Sequence, residues 1–284
     1  MGDKTFFLGL GGQKCGSSWI QAYLNRQPGA DFGRLGEYQV WESDLGSVFA
    51  RYRVADPSKL EILRAETKRR LGLAEPAAYL RWRLQQDRRQ YFSYFAKLLN
   101  QPDITMTGDI TPSYAALPAP LLAKIKTGFD AAGITVKPIF SMRDPVDRIR
   151  SHLRMEMERG RVPTQDNNDT ALRDFYATNE AAARTRYDMT LAALDTEFSR
   201  ENMHICLFED LFTPTGITAL ARFAEVPVEA EAGAQKVNAR AKGSGVPEDL
   251  TAEIARHYAP VYHAVAARLP QIATLWPSAR YVLG

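Results

Sequence analysis

Short apolar runs bounded by glycine or charge alternate along the chain with longer segments whose apolar residues recur every three or four positions, the pattern of strands separated by helices. Residues 5–10 (TFFLGL) predict a buried strand, and Trp19, Ile20, Tyr23 and Leu24 follow at helical spacing, so a helix starts near Ser17. Further apolar runs at 104–109, 136–142 and 203–208 predict more strands, parallel to the first because helical stretches intervene. Residues 31–41 (DFGRLGEYQVW) read as a short strand and then a loop. Residues 58–73 open with a Ser cap and are rich in Lys and Arg, while residues 77–99 place Tyr79, Trp82, Tyr91, Phe92, Tyr94 and Phe95 among Arg and Gln. Both predict helices with an apolar face on the sheet. Asp144 as cap and Pro145 in the first turn write another helix start, and residues 184–198 predict a further helix. Residues 160–179 begin as a polar loop suited to being mobile or to covering an acceptor. The whole implies an α/β fold: one domain over residues 1–284, with a central, mainly parallel sheet flanked by helices and a glycine-rich turn after the first strand.

Composition narrows the function. With 284 residues, 45% of them hydrophobic and 24% charged, the chain can bury a large core. A net charge of +3 is too small to point to nucleic acid, although it suits a pocket receiving a polyanionic small molecule. Two cysteines, Cys15 and Cys206, give no disulfide framework, and metal-ligand spacings are lacking, so no metal is expected. The chain enters its first strand without a secretory pattern and has no apolar run of membrane-spanning length. A cytoplasmic location is the expectation.

The glycine-rich turn carries the candidate chemistry. In GLGGQKCGSSW (residues 9–19) the glycines let backbone N–H groups converge, and the helix start adds unpaired donors and a positive dipole end. Lys14 and the hydroxyls of Ser17 and Ser18 join them, so the turn suits a phosphate or sulfate. It is neither a Walker A loop, since Lys14 precedes Gly16, nor a dinucleotide fingerprint, since Lys14 stands where the third Gly belongs. Asp109 falls at the carboxyl end of its strand, a place for a base or a magnesium ligand. Arg143 closes the next strand, and Arg148 and Ser151 share one face of the following helix. Arg143 and Ser151 together suit a terminal phosphomonoester.

K-C-G-S-S-W resembles the 5′-phosphosulfate-binding loop of sulfotransferases that use adenosine 3′-phosphate 5′-phosphosulfate (PAPS). The run R-D-P-x-x-R-x-x-S-H-x-R from Arg143 resembles the 3′-phosphate-binding segment of the same family, in the same order. The likeness extends along nearly the whole chain but is specific only at these two segments. It implies a P-loop-like sulfotransferase fold and PAPS as sulfuryl donor, leaving adenosine 3′,5′-bisphosphate. The donor-binding set would be Gly12, Gln13, Lys14, Cys15, Gly16, Ser17, Ser18, Trp19, Arg143, Ser151 and Tyr187, with Lys242 and Gly243 in the basic loop at 236–247. Lys14 would sit on the bridging oxygen. The histidine base of the phenol and steroid branch is missing, because no histidine precedes His152. The chain is therefore closer to the bacterial and heparan-sulfate-type branch, whose base is a glutamate just past the loop. Glu37, 23 positions beyond Lys14, is that candidate, with Asp109 second. The stretch GDITPSY resembles the family's G-E-[KI]-[ST]-P-[SA]-Y, but the heparan sulfate enzymes' lysine falls on Ile110 and the usual Glu is Asp109. The implied reaction passes a sulfuryl group to a hydroxyl or amine of a small-molecule, lipid or carbohydrate acceptor. A P-loop kinase and a non-catalytic nucleotide-binding module are the alternatives.

Overall fold

The computed structural model describes residues 4–163, 168–234 and 245–284. Strand β1 (Thr5–Gly11) is the hub of a four-stranded, all-parallel sheet in the order β2-β1-β3-β4, the others being β2 (Met106–Ile110), β3 (Thr135–Met142) and β4 (His204–Leu207). Its pleat sends Phe6, Leu8 and Leu10 to one apolar cluster and Phe7 to another, and all four are fully buried. At about 2 kcal/mol for each such side chain, their burial outweighs the ~1 kcal/mol net of any single ladder hydrogen bond. Packing on both faces, more than strand pairing, fixes where β1 ends.

Between β1 and β2 the chain forms α1 (Ser17–Asn25), α2 (Lys59–Arg70), α3 (Ala77–Gln86) and α4 (Arg88–Leu99). Helix α5 (Ala119–Asp130) crosses from β2 to β3; α6 (Pro145–Glu158), α7 (Asn168–Tyr176), α8 (Asn179–Ala182) and α9 (Tyr187–Glu197) lead to β4. After β4 come α10 (Phe208–Leu211), α11 (Pro214–Ala224), α12 (Glu248–His257), α13 (Ala259–Ala266), α14 (Ile272–Leu275) and α15 (Arg280–Leu283). Trp19, Ile20, Tyr23 and Leu24 of α1 pack with Ile217, Leu220 and Ala221 of α11 against Phe7 and Ile139. The other face carries α4, α5, α6, α9, α12 and α13. There the expected aromatic face exists, with Phe95 edge-on to Phe6 and Phe129 of α5 stacked on Phe6 at 4.0 Å. No helix among the described residues is long and apolar enough to cross a membrane.

Local signals explain most boundaries. Ser58 closes a capping box with Glu61 at the start of α2, and Asp87 caps α4 by accepting from the Arg89 N–H, which splits residues 77–99 into two helices. Three expectations need correction. Residues 31–41 form no strand beyond the isolated Ala30–Met106 bridge. Their N–H groups go instead to side-chain acceptors, Phe32 to Asn25, Gly33 to Asp31, and Val40 to the Tyr114 hydroxyl, while Gly33 and Gln39 take positive φ, which no strand allows. The helix expected from residue 184 begins at Tyr187, because the four-residue α8 and a turn use the preceding backbone. Strand β4 stops at Leu207, and Phe208, Glu209 and Asp210 wind into α10. Within 160–179, residues 168–176 are the helix α7, with Ala171, Leu172 and Phe175 buried.

Asp144 fastens the β3–α6 turn to the C-terminal region. It is 2% exposed, caps α6 by accepting from the Val146 N–H at 2.9 Å, and accepts from the Ser278 hydroxyl (2.6 Å) and N–H (3.1 Å). Asp144→Ala strands these donors, and we expect a loss of about 3 kcal/mol in urea unfolding. A loss below about 1 kcal/mol contradicts this role.

Candidate active site

The order in which strands are added reverses between β1 and β3: β2 lies on one side of β1, β3 and β4 on the other. Open α/β sheets receive ligands at such a switch point. The turn after β1 sits there and is tied to β3 from both sides, the Gly12 N–H donating to the Ser141 carbonyl at 2.8 Å and the Ser141 hydroxyl to the Cys15 carbonyl at 2.6 Å. A Cβ on Gly12 would come within 2.8 Å of the Cys15 sulfur, and one on Gly16 (φ 91°) within 2.5 Å of Leu211, so the tight turn needs glycine at both positions. Gly16 is also the N-cap of α1 and brings no side chain to cap it. The N–H groups of Ser17 and Ser18 thus have no acceptor within the helix, and Ser18 is exposed. Lys14 stands at the crest in the left-handed conformation (φ 70°), partly exposed beside Gln13, whose Oε1 is buried without a partner.

The remaining donor-side candidates divide between surface and interior. Cys15 is fully buried; burial pushes its thiol up to about 11, and its sulfur lies 3.6 Å from the Tyr187 hydroxyl. Tyr187 donates to the Arg143 carbonyl at 3.2 Å, so this one phenol holds the turn and the end of β3 together. Trp19 is a core residue, its indole N–H on the Ala232 carbonyl and its ring stacked on Tyr23. The side chains of Cys15 and Trp19 therefore build the turn from behind. The Arg143 guanidinium lies over the Phe208 ring at 4.7 Å, reaches Asp147 at 3.3 Å, and keeps its buried Nε without a partner. Ser151, 6% exposed, is about 9 Å along α6 from Pro145 at 1.5 Å per residue. Lys242 and Gly243 lie outside the described residues.

The carboxylates are on the other flank of β1, beside β2. Asp109 is fully buried and both its oxygens are taken: Oδ1 by the Thr111 hydroxyl (2.6 Å) and the Tyr38 N–H (3.4 Å), Oδ2 by the hydroxyls of Tyr91 (2.9 Å) and Tyr114 (2.7 Å). Burial pushes it up to about 6 against those hydrogen bonds. The Thr111 hydroxyl also accepts from the Tyr38 N–H at 3.0 Å, so Asp109 and Thr111 hold the segment that presents Glu37. Glu37 itself is only partly buried; burial raises its pKa, while the Gln39 amide at 2.9 Å and the charges of Arg159 and Arg81 oppose the rise. Arg81 clamps the backbone carbonyls of Glu37 and Tyr38 at 2.8 and 3.0 Å.

Sequence reasoning missed Glu42. It is fully buried, accepts from the Ser113 hydroxyl at 2.6 Å through Oε1, and has no partner at Oε2. Burial pushes it up to about 7, helped by the charges of Asp109 and Glu37. Its one signal was its place five residues past Glu37, which carries no periodicity. Of the four histidines, His152 is buried edge-on to Phe175, burial pushes His204 down to about 4, and His257 and His263 are exposed. His152, Glu156 and Glu180 bring ligand-type atoms within 4.8 Å of one another. Arg51, Arg161 and Arg184 already ion-pair with these two glutamates, so the carboxylates of the trio are engaged in an ion-pair network.

No protein-family model matches the chain. No curated protein matches it either. Among solved structures, a sulfotransferase from Alicyclobacillus acidocaldarius superposes with a TM-score of 0.59 at 17% identity, over 94% of this chain and 96% of that one. The sulfotransferase domain of the curacin biosynthetic pathway (TM-score 0.43, 16% identity, 84% and 79% covered) and that of the Synechococcus PCC 7002 olefin synthase (0.46, 16%, 98% and 92%) are looser matches. The fold is that of the sulfotransferases.

Glu42 gives a pH prediction. Its folded pKa near 7 lies above the ordinary 4.5, so between those values the folded chain keeps a proton that the unfolded chain has lost. This group's contribution to stability therefore falls as pH rises from 4.5 to 7. In Glu42→Gln the fall is removed, and the variant gains on wild type by roughly 2–3 kcal/mol between pH 4.5 and pH 8 in urea unfolding. Parallel pH profiles for the two proteins contradict the assignment.

Proposed function

We propose that this chain, built on the sulfotransferase fold, transfers a sulfuryl group from PAPS to a hydroxyl or amine of a small-molecule, lipid or carbohydrate acceptor. The observation that carries the reading is the meeting of two anion-receiving elements at one switch point: the uncapped start of α1 with Lys14, and Arg143 followed by Ser151. A nucleotide with separated anionic ends fits that pair of elements, whereas a single phosphate would use one of them. PAPS fits the donor set: the amides and hydroxyls of residues 16–18 would hold the 5′ end, and Arg143 and Ser151 the 3′-phosphate. When bound it supplies a sulfuryl group whose bond to the 5′-phosphate oxygen breaks as the acceptor oxygen or nitrogen bonds to sulfur.

Lys14 stabilises the charge that develops on the departing phosphate oxygen. Glu37 takes the acceptor's proton, and partial burial with a raised pKa suits a general base. Asp109, with both oxygens engaged and no exposure, is assigned the holding of the Glu37 segment rather than proton transfer. The same engagement speaks against its use as the magnesium ligand of a kinase. Two free cysteines fit a reducing cytosol.

In the presence of EDTA, adenosine 3′,5′-bisphosphate is expected to raise the melting temperature more than AMP at equal concentration, and Arg143→Ala to abolish that preference. Equal shifts from the two nucleotides, or a shift that needs ATP with magnesium, overturn the reading. In a labelled-donor assay over phenols, sugars and lipid alcohols, Lys14→Ala should lose activity on whichever acceptor is used. Glu37→Gln should lower kcat by about 10²–10⁴-fold with bisphosphate affinity unchanged, and a smaller loss returns the base to another group.

A further inference from the structure

Arg148 stands out among the charged groups of the described residues. It is 0% exposed, and its Nε has no partner. Its Nη2 donates to the Ala181 carbonyl at 3.4 Å and its Nη1 lies 3.5 Å from the His152 ring, both neutral. Among the described residues no carboxylate pairs with it. The nearby Glu156 and Glu180 are taken by Arg51, Arg161 and Arg184. Desolvation pushes the guanidinium pKa down and the positive charge of Arg184 adds a smaller push, while Tyr187, Cys15 and Tyr258, none of them a carboxylate, oppose it. Arginine nevertheless stays protonated in proteins. A buried cation without a counter-ion is costly, and a fold keeps one only where something else compensates it.

Its surroundings indicate what does. Arg148 is three residues before Ser151 on α6, hence on the same face. In the other direction its charge bears on the buried Cys15 thiol behind the glycine-rich turn and on the Tyr187 hydroxyl that ties this turn to Arg143. The charge is thus one helical turn from Ser151 and acts on the two groups that tie the glycine-rich turn to the end of β3. We propose that Arg148 is a fixed cation left uncompensated in the empty protein and neutralised through the low-dielectric interior by the anionic ends of the bound nucleotide. It is a positioning residue that touches no reacting atom. The inference rests on the donor reading above and deepens it: part of the donor's binding free energy is stored as electrostatic strain in the unliganded chain.

The test is the pair of Arg148→Met and wild-type proteins, each melted alone and titrated with adenosine 3′,5′-bisphosphate by calorimetry. The methionine fills the stem's volume, and the Ala181 carbonyl keeps its bond from the Thr185 hydroxyl, so the substitution removes mainly the charge. The expected result is a melting temperature without ligand no lower than wild type, together with bisphosphate affinity reduced fivefold or more. A lower melting temperature without ligand overturns the proposal, because the charge would then be stabilising the empty protein. So does an affinity loss of less than fivefold. Arg148→Lys, which keeps the charge but not the guanidinium fork, should bind more tightly than Arg148→Met; equal weakness in both assigns the residue to shape rather than charge. If wild type binds no bisphosphate at all, the donor reading falls and this inference with it.

Discussion

The site depends on one constraint: β1 cannot shift along its axis, because both its faces are packed with fully buried side chains. The strand therefore delivers the turn after Gly11 to a fixed point at the edge of the sheet, and two hydrogen bonds with Ser141 hold it against β3. Helix α1 leaves from this turn with no side chain to cap its first N–H groups. Leaving those donors open sacrifices helix stability of about 1 kcal/mol that a Ser or Asp cap would supply. What the fold gains is a positive helix end beside Lys14, preorganised for an anion.

Around that point the chain separates charge by strand. Towards β3 stand Arg143, whose carbonyl accepts from Tyr187, and Arg148 on the helix that follows; towards β2 stand Glu37, Glu42 and Asp109. The three carboxylates are not equivalent. Asp109 is saturated with hydrogen bonds and stabilises the loop, Glu42 is buried with one oxygen unpaired, and Glu37 alone is partly exposed. Environment sorts identical chemistry into different roles here, and it does so through neighbours contributed by α4, by the segment after β2 and by residues 38–42.

Elements written by local chemistry were legible in the sequence. The apolar runs that became β1, β2 and β3, the Ser58 cap, and the Asp144–Pro145 start of α6 all act through neighbours within a few residues. Legibility failed where the deciding partner is remote. Residues 31–41 satisfy much of their backbone with Asn25, Thr111 and Tyr114 side chains instead of a strand, and no local pattern announces that. Cys15 and Trp19 sit inside the glycine-rich motif yet face the core, because Tyr187 and Ala232, more than 170 positions away, claim them. Glu42 and the uncompensated state of Arg148 are likewise products of tertiary packing, invisible to spacing.

The two-ended grip on one nucleotide is tested most directly by a crystal structure of the chain with adenosine 3′,5′-bisphosphate. The 5′-phosphate is expected on the amides of residues 16–18 and the 3′-phosphate within hydrogen-bond distance of both Arg143 and Ser151. A nucleotide held at one end only, with its second phosphate in solvent or on other residues, contradicts it.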